Sequence, residues 1–140
     1  MKKIGLIIVC LGLAFSAQAF EKKQVKLSTD FWGKWTVFNA KTQCSETYQF
    51  NSPNQFIYSA KQKKLTGEFA VLRNQDPKVL DLLVMNVKTD NQQAGCSAVK
   101  RNYGQGKLNL SLKWVSAQSA ELCTDREAKK CTGLYLMKQK

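Results

Sequence analysis

The sequence predicts an all-β fold, a small antiparallel up-and-down β-barrel of about eight strands that is stapled by disulfides. Three observations predict it. The apolar pattern after residue 30 has a period of two, turn residues interrupt it roughly every 8–12 residues, and four cysteines follow an export signal. No stretch after Phe20 has a helical apolar stripe longer than about two turns, so a helical domain is not expected.

The first nineteen residues have the pattern of a signal peptide. A short basic start and an apolar run over residues 4–15 precede Ala17-Gln18-Ala19, the small-x-small pattern that a signal peptidase cleaves. Cys10 lies inside the apolar run, which does not fit a lipoprotein site. We therefore expect cleavage after Ala19 and a single mature domain of residues 20–140. That domain is expected to be periplasmic or secreted, with no transmembrane anchor after processing.

Alternating apolar and polar residues predict about eight or nine short strands. The clearest runs from Leu108 to Val115, where leucines and Trp114 alternate with polar side chains. The run from Val79 to Lys88 is largely apolar on both faces and is predicted to be the most buried strand. The predicted strands cover residues 35–39, 45–50, 55–60, 65–73, 79–88, 96–101, 108–115, 120–124 and 132–138.

The four cysteines of the mature chain, an even number in an exported protein, predict two disulfides. They are Cys44, Cys96, Cys123 and Cys131. If the leucines of the last hairpin point inward, Cys123 and Cys131 meet on its outer face, which leaves Cys44 to pair with Cys96. The other two pairings stay open from sequence alone. The chain has no C-x-x-C and no histidine, so we expect no redox pair, no metal site and no cofactor.

The mature chain is strongly basic. Without the two lysines of the leader, 20 basic residues face 10 acidic ones, a formal charge of +10. All but three of the basic residues are lysines, which favours a diffuse basic surface over a sequence-specific nucleic-acid site built from arginine forks. The expected partner is an anionic or amphipathic envelope ligand or an acidic protein. The candidate basic surface consists of Lys61, Lys63 and Lys64.

The stretch FWGKWTV places a glycine two residues before a tryptophan at the start of the first strand. This G-x-W pattern resembles the signature of the lipocalin and calycin superfamily. The resemblance implies that Gly33 bends the chain into the strand and that Trp35 fills the closed end of the barrel. It also implies a cation from the last strand over this tryptophan, either Lys138 or Lys140. Trp32 has the opposite parity and is expected at a rim or under the N-terminal segment.

The chain is also similar to the small periplasmic inhibitors of secreted metalloproteases, which are eight-stranded barrels with G-x-W and a cysteine soon after it, here Cys44. Those inhibitors carry one disulfide, whereas this chain is predicted to have two. We expect an exported, non-enzymatic, lipocalin-like binding protein for an apolar, amphipathic or anionic envelope ligand. The alternative is a protein-interaction module, either an inhibitor of an exported protease or an accessory subunit of an envelope complex.

Catalysis has few candidate residues. Without histidine, the usual serine and cysteine nucleophile systems lack their base. Glu68 and Asp81 are the acids at strand positions where burial would suit acid–base chemistry, but each is expected to face solvent or to pair with a lysine on a neighbouring strand. Gly104 and Gly106 lack the Lys-Ser/Thr and the helix of a phosphate loop and are predicted to be turn glycines. A small hydrolase is therefore the last-ranked function, and no catalytic residue is assigned.

The processing and cysteine patterns predict the covalent state of the purified protein. After periplasmic expression, its intact mass should equal that of residues 20–140 less four hydrogens, because both disulfides form. Mass spectrometry checks this, with a reduced sample as the control. Alkylation of any cysteine without prior reduction would show that a thiol is free.

Overall fold

The computed structural model describes residues 19–97 and 102–140. Within this part, eight antiparallel strands follow one another in sequence order, and β8 pairs with β1 to close a barrel. A 3-10 turn (Lys22–Gln24) and a short helix α1 (Leu27–Asp30) precede them. The strands are β1 (Gly33–Asn39), β2 (Cys44–Asn51), β3 (Gln55–Ala60), β4 (Lys63–Leu72), β5 (Asp81–Asp90), β6 (Lys107–Ser116), β7 (Ser119–Cys123) and β8 (Cys131–Lys138). The predicted all-β up-and-down barrel is confirmed.

Two predictions about individual strands are wrong. Cys96 and Ser97 form a bend in the β5–β6 connection, and the rest of the predicted strand, residues 98–101, lies outside the described residues. The run predicted to be the most buried strand, β5, is not the most buried, because four of the five residues of β7 are buried. In β5 the odd-numbered residues from Asp81 to Val87 are buried and the residues between them are only partly buried. One face of β5 therefore packs in the core and the other borders solvent.

The barrel has two different ends. At the closed end, where β1 begins, the N-terminal segment before β1 buries Val25 and Phe31 in the core. At the open end, where β1 finishes, lie the β5–β6 connection and the turns that follow β1, β3 and β7. The predicted signal peptide falls almost wholly on residues 1–18, which lie outside the described part of the chain.

Aromatic side chains fill the closed half of the barrel. Phe31 lies 4.6 Å from Phe50 and 5.6 Å from Trp35 between ring centroids, and Trp35 meets Trp114 edge-on at 6.1 Å. Phe69 completes the group, with its ring 4.7 Å from that of Phe50. We call these five residues the aromatic plug. Such tilted and edge-on contacts are the arrangements that aromatic pairs prefer.

The G-x-W stretch has the geometry that the resemblance implies. Gly33 has a backbone φ of +113°, a conformation that residues with a Cβ rarely adopt, so the chain turns there into β1. Trp35 is fully buried and its indole N–H donates to the Phe31 carbonyl at 2.8 Å. The expected cation is Lys138, whose ammonium lies 5.7 Å from the centre of the Trp35 ring and also bonds to the Asp30 carbonyl.

Asp81 is the largest departure from expectation at the closed end. It does not face solvent, because its carboxylate is fully buried and accepts a hydrogen bond from Arg73 at 2.7 Å. Its lysine partner, Lys22 at 4.0 Å, belongs to the N-terminal segment and not to a neighbouring strand. The Trp114 indole N–H donates to the same carboxylate at 2.9 Å, and Arg73 also donates to the Val25 carbonyl at 2.8 Å. A buried charge requires such partners, so this cluster links the N-terminal segment, the β4–β5 connection and the plug.

Both expected disulfides are present, Cys44–Cys96 and Cys123–Cys131. The first joins residues 52 positions apart and stabilises the fold by about 4 kcal/mol in the chain-entropy model. The orientation predicted for the second pair is wrong at Cys123, which is buried rather than on the outer face. An irregularity in the β7–β8 pairing between Glu121 and Cys123 breaks the alternation on which that prediction depended.

The aromatic plug predicts that replacing Trp35 lowers the free energy of unfolding more than replacing Trp32. Trp35→Ala should lower the free energy of unfolding by roughly 3–5 kcal/mol, the range for deleting a buried aromatic side chain. Trp32 is only half-buried, with an edge contact to Phe69 at 5.7 Å, so Trp32→Ala should cost clearly less. Urea unfolding followed by circular dichroism measures both. Equal losses would mean that Trp35 is not the central residue of the plug.

Candidate functional site

The open half of the barrel contains a cavity of about 430 Å³. Its walls are mainly apolar. They include Phe56, Leu65, Met85, Leu110, Leu122 and Leu134. Leu110 and Leu134 line this space and are only partly buried, because the cavity opens to solvent. The barrel is therefore filled by its own side chains at one end only.

Three polar side chains form a cluster on the cavity wall. Glu46 and Tyr48 are two residues apart on β2, so they share the inward face, and the β2–β3 register places Tyr58 opposite Tyr48. The Tyr58 hydroxyl donates to one carboxylate oxygen of Glu46 at 2.8 Å, and the Tyr48 hydroxyl donates to the other at 3.3 Å. We call Glu46, Tyr48 and Tyr58 the acceptor cluster.

The surroundings keep both phenols of the acceptor cluster protonated. Burial raises the pKa of Tyr48 and of Tyr58, and the negative charge of Glu46 raises each pKa further. Both hydroxyls therefore remain hydrogen-bond donors across the physiological pH range. Since each hydroxyl hydrogen is used on Glu46, the cluster offers oxygen lone pairs to the cavity.

A second charged group, the ion pair of Lys63 and Asp90, lies at the mouth of the cavity, and we call it the mouth pair. The Lys63 ammonium donates to the two carboxylate oxygens of Asp90 at 2.9 and 3.1 Å, and it lies 5.0 Å from the centre of the Tyr103 ring. The Tyr103 backbone N–H also donates to Asp90, at 2.6 Å. Burial acts to raise the pKa of Asp90, but the Tyr103 N–H and Lys63 outweigh it, so this pKa lies below its ordinary value.

The β5–β6 connection is tied to the barrel near this pair. The Cys44–Cys96 disulfide attaches it to the start of β2, and a Cβ at Gly95 would lie 3.3 Å from the Lys63 side chain. Gly104 lies in the turn that follows, and the Gly106 N–H donates to the Tyr103 carbonyl at 2.9 Å. The prediction that these two glycines serve a turn is confirmed.

The candidate basic surface is smaller than predicted. Lys61 and Lys64 are exposed, but the Lys63 side chain is 5% exposed and paired with Asp90. The strand alternation of β4 explains the difference, because Lys63 and Leu65 share the inward face. Lys63 therefore belongs to the mouth of the cavity and not to the outer surface.

The acids that the sequence singled out lie away from the cavity. Glu68 is exposed and lies 3.6 Å from the ammonium of Lys88, as expected, and Asp81 belongs to the closed end. Among the described residues, Glu121, Cys123 and Cys131 place three potential ligand atoms within 4.8 Å of one another. The two sulfurs are bonded to each other, however, and a metal requires thiolates, so this group is a disulfide with a neighbouring acid.

Sequence reasoning missed the acceptor cluster, although a signal was present. Glu46, Tyr48 and Phe50 alternate along β2, and an inward Phe50 requires an inward Glu46. The pairing of β2 with β3 then brings Tyr58 beside Tyr48.

No protein-family profile, curated protein or solved structure matches this chain. Within residues 19–97 and 102–140, no helix has the length and apolar character needed to cross a membrane. The two disulfides fit a protein exported to an oxidising compartment.

The mouth pair predicts a loss of stability in acid. Because the pKa of Asp90 is lowered in the folded chain, its contribution is complete above the ordinary value of about 3.8 and disappears as the pH falls through the folded-state value. Asp90→Asn should therefore destabilise the protein at pH 7 by several kcal/mol, since it leaves the Lys63 ammonium buried without its carboxylate. The difference from the wild type should shrink below pH 4.

Urea unfolding at a series of pH values measures this difference, and Glu68→Gln, on the outer surface, is the control. An Asp90→Asn variant as stable as the wild type at pH 7, or a difference that does not change with pH, would contradict the role of this pair.

Proposed function

We propose that this chain is an exported, non-enzymatic binding protein whose barrel holds one apolar or amphipathic small ligand, in the manner of a lipocalin. The cavity in the open half carries the proposal. Its volume of about 430 Å³ lies within the range of small-molecule sites, which extends from about 300 to 1,000 Å³. Apolar walls with a few converging polar groups are also typical of such sites.

The size of the barrel limits the ligand. Eight strands enclose room either for side chains or for one small ligand, and here the aromatic plug occupies the closed half. A ligand would therefore enter from the open end and stop at the plug. Phe56 and Met85 are buried side chains that also border the cavity, so the apolar part of the ligand would contact them.

Three features of the closed end support a lipocalin-like protein. They are the positive φ of Gly33, the buried Trp35 and the ammonium of Lys138 over its ring. These features position the plug and contact no part of the cavity. They support the proposed kind of barrel, whereas the ligand has to be inferred from the cavity itself.

The hydrogen-bond partners of three carboxylates support a non-enzymatic role. Asp81 is bonded to Arg73 and Trp114, and Asp90 is bonded to Lys63. Glu46, the acid on the cavity wall, accepts hydrogen bonds from two tyrosines that remain protonated. Among the described residues, each of the three is thus engaged in a hydrogen-bonded group, and the two tyrosine hydroxyls beside Glu46 stay protonated.

A second candidate function is protein docking, either as an inhibitor of an exported protease or as an accessory subunit. The outer surface of β1 and β8 favours it, because Phe38, Tyr135 and Met137 are exposed there on adjacent strands. Large exposed apolar side chains that lie close together are typical of interaction surfaces. This function would use the outside of the barrel and leave the cavity without a role.

A variant whose cavity is filled by a larger side chain distinguishes ligand binding in the cavity from protein docking on the outer surface. Leu110→Trp should weaken binding of the neutral fluorophore N-phenyl-1-naphthylamine at least about tenfold, because the larger ring occupies the space of the ligand. Overpacking costs about 1–3 kcal/mol, so the variant should still fold. Fluorescence titration measures binding, and thermal unfolding checks the fold.

Leu72→Trp is the matched control, because Leu72 is 50% exposed on the outer surface and this variant should bind like the wild type. A wild-type protein that does not bind the fluorophore, or a Leu110→Trp variant that binds it equally well, would refute the cavity-binding function and favour docking.

A further inference from the structure

We infer that the acceptor cluster is the head-group subsite of the cavity and that it binds a protonated amine rather than a carboxylate or a phosphate. This inference rests on the proposed function and names the ligand class, an amphiphile with an apolar tail and a cationic, hydrogen-bond-donating head. It differs from the anionic ligand that the basic composition favours.

The hydrogen bonding of Glu46 carries the inference. A carboxylate has about four acceptor positions, and the two tyrosine hydroxyls use two of them. Both hydroxyl hydrogens are directed to Glu46, so the cluster has acceptor positions left and no spare donor among its three side chains. An ammonium supplies three donors and a positive charge, which match this arrangement, whereas an anionic head would meet the like charge of Glu46.

Among the described residues that line the cavity, Lys63 is the one cation, and it is already engaged. Its ammonium donates to both oxygens of Asp90 and lies 3.5 Å from the Gln93 carbonyl oxygen. An anionic head group would have to replace the buried Asp90 carboxylate as the partner of Lys63. That exchange leaves Asp90 without its cation, which is costly for a buried charge.

The mouth pair is also a precedent for the contact that we infer. There an ammonium is held by one carboxylate, Asp90, and by the face of one tyrosine ring, Tyr103. The acceptor cluster offers the same two kinds of group, a carboxylate and tyrosine rings, with Tyr48 and Tyr58 edge-on at 5.0 Å. Carboxylates and aromatic faces both attract ammonium groups, and the attraction is stronger away from water.

The experiment compares three probes with the same tail, dodecylamine, dodecanol and dodecanoate, below their micelle concentrations. Isothermal titration of the mature protein should give an affinity for dodecylamine at least tenfold above that for dodecanoate. The net charge of the protein works against this result, because its overall field attracts the anion. A preference for the amine therefore reports the local site.

Glu46→Gln keeps the shape of the side chain and removes its charge, so it should abolish the preference for the amine and leave the affinity for dodecanol within about twofold. Glu68→Gln removes one charge from the outer surface and should change neither. A carbon-13 spectrum of the wild type gives a second measurement, in which dodecylamine should shift the Glu46 carboxyl signal and dodecanol should not.

The outcomes separate the two proposals. If none of the three probes binds, the cavity-binding function fails and the subsite fails with it. If all three bind equally, or dodecanoate binds best, the cavity function stands and the subsite is refuted. A preference that persists in Glu46→Gln or disappears equally in Glu68→Gln, or an unshifted Glu46 signal, also refutes the subsite.

Discussion

The packing of five aromatic rings at one end of an eight-stranded barrel is the constraint on which the rest of the structure depends. The interior of such a barrel is fixed by the number of strands, so side chains that fill one end do not reach the other. Trp35 lies at the centre of this packing, and Gly33 allows the chain to turn into β1 just before it. Because the five rings of the aromatic plug are gathered at the closed end, the walls of the open end enclose a space that is not filled.

Three acids of the barrel, Asp81, Asp90 and Glu46, differ in their hydrogen-bond partners. Asp81 at the closed end and Asp90 at the mouth each have a cationic side chain within hydrogen-bond distance, and each joins a connecting segment to the strands. Breaking such a pair is costly, which accounts for their structural role. Glu46 differs, because its partners are neutral tyrosines and its negative charge is not balanced by a bonded cation in the acceptor cluster. A carboxylate that is bonded to neutral tyrosines and lines an open cavity is better suited to binding a ligand than to stabilising the fold.

The sequence predicted features that depend on alternation and on chain-local chemistry. These include the eight strands within about two residues at each end. The roles of Gly33 and Trp35 and a covering cation, Lys138 or Lys140, were implied by the G-x-W resemblance, and the cation is Lys138. Features that depend on barrel closure and on irregular pairing were not predictable in this way. The inward position of Lys63 requires its buried partner Asp90, 27 residues away, and the orientation of Cys123 requires the irregularity in the β7–β8 pairing. The cavity depends on how much of the interior the plug fills, which no single strand pattern contains.

The first and last strands, β1 and β8, are paired, and this pairing fixes where an added segment leaves the barrel. β1 starts and β8 finishes at the closed end, where the Gln139 N–H bonds to the Lys34 carbonyl at 2.8 Å. Any segment joined before β1 or after β8, whether a tag, a tether or a fused domain, therefore leaves the barrel on the side away from the cavity. In a protein immobilised through either terminus, the open end of the barrel would therefore face the solution. A ligand could still enter the cavity of the surface-bound form.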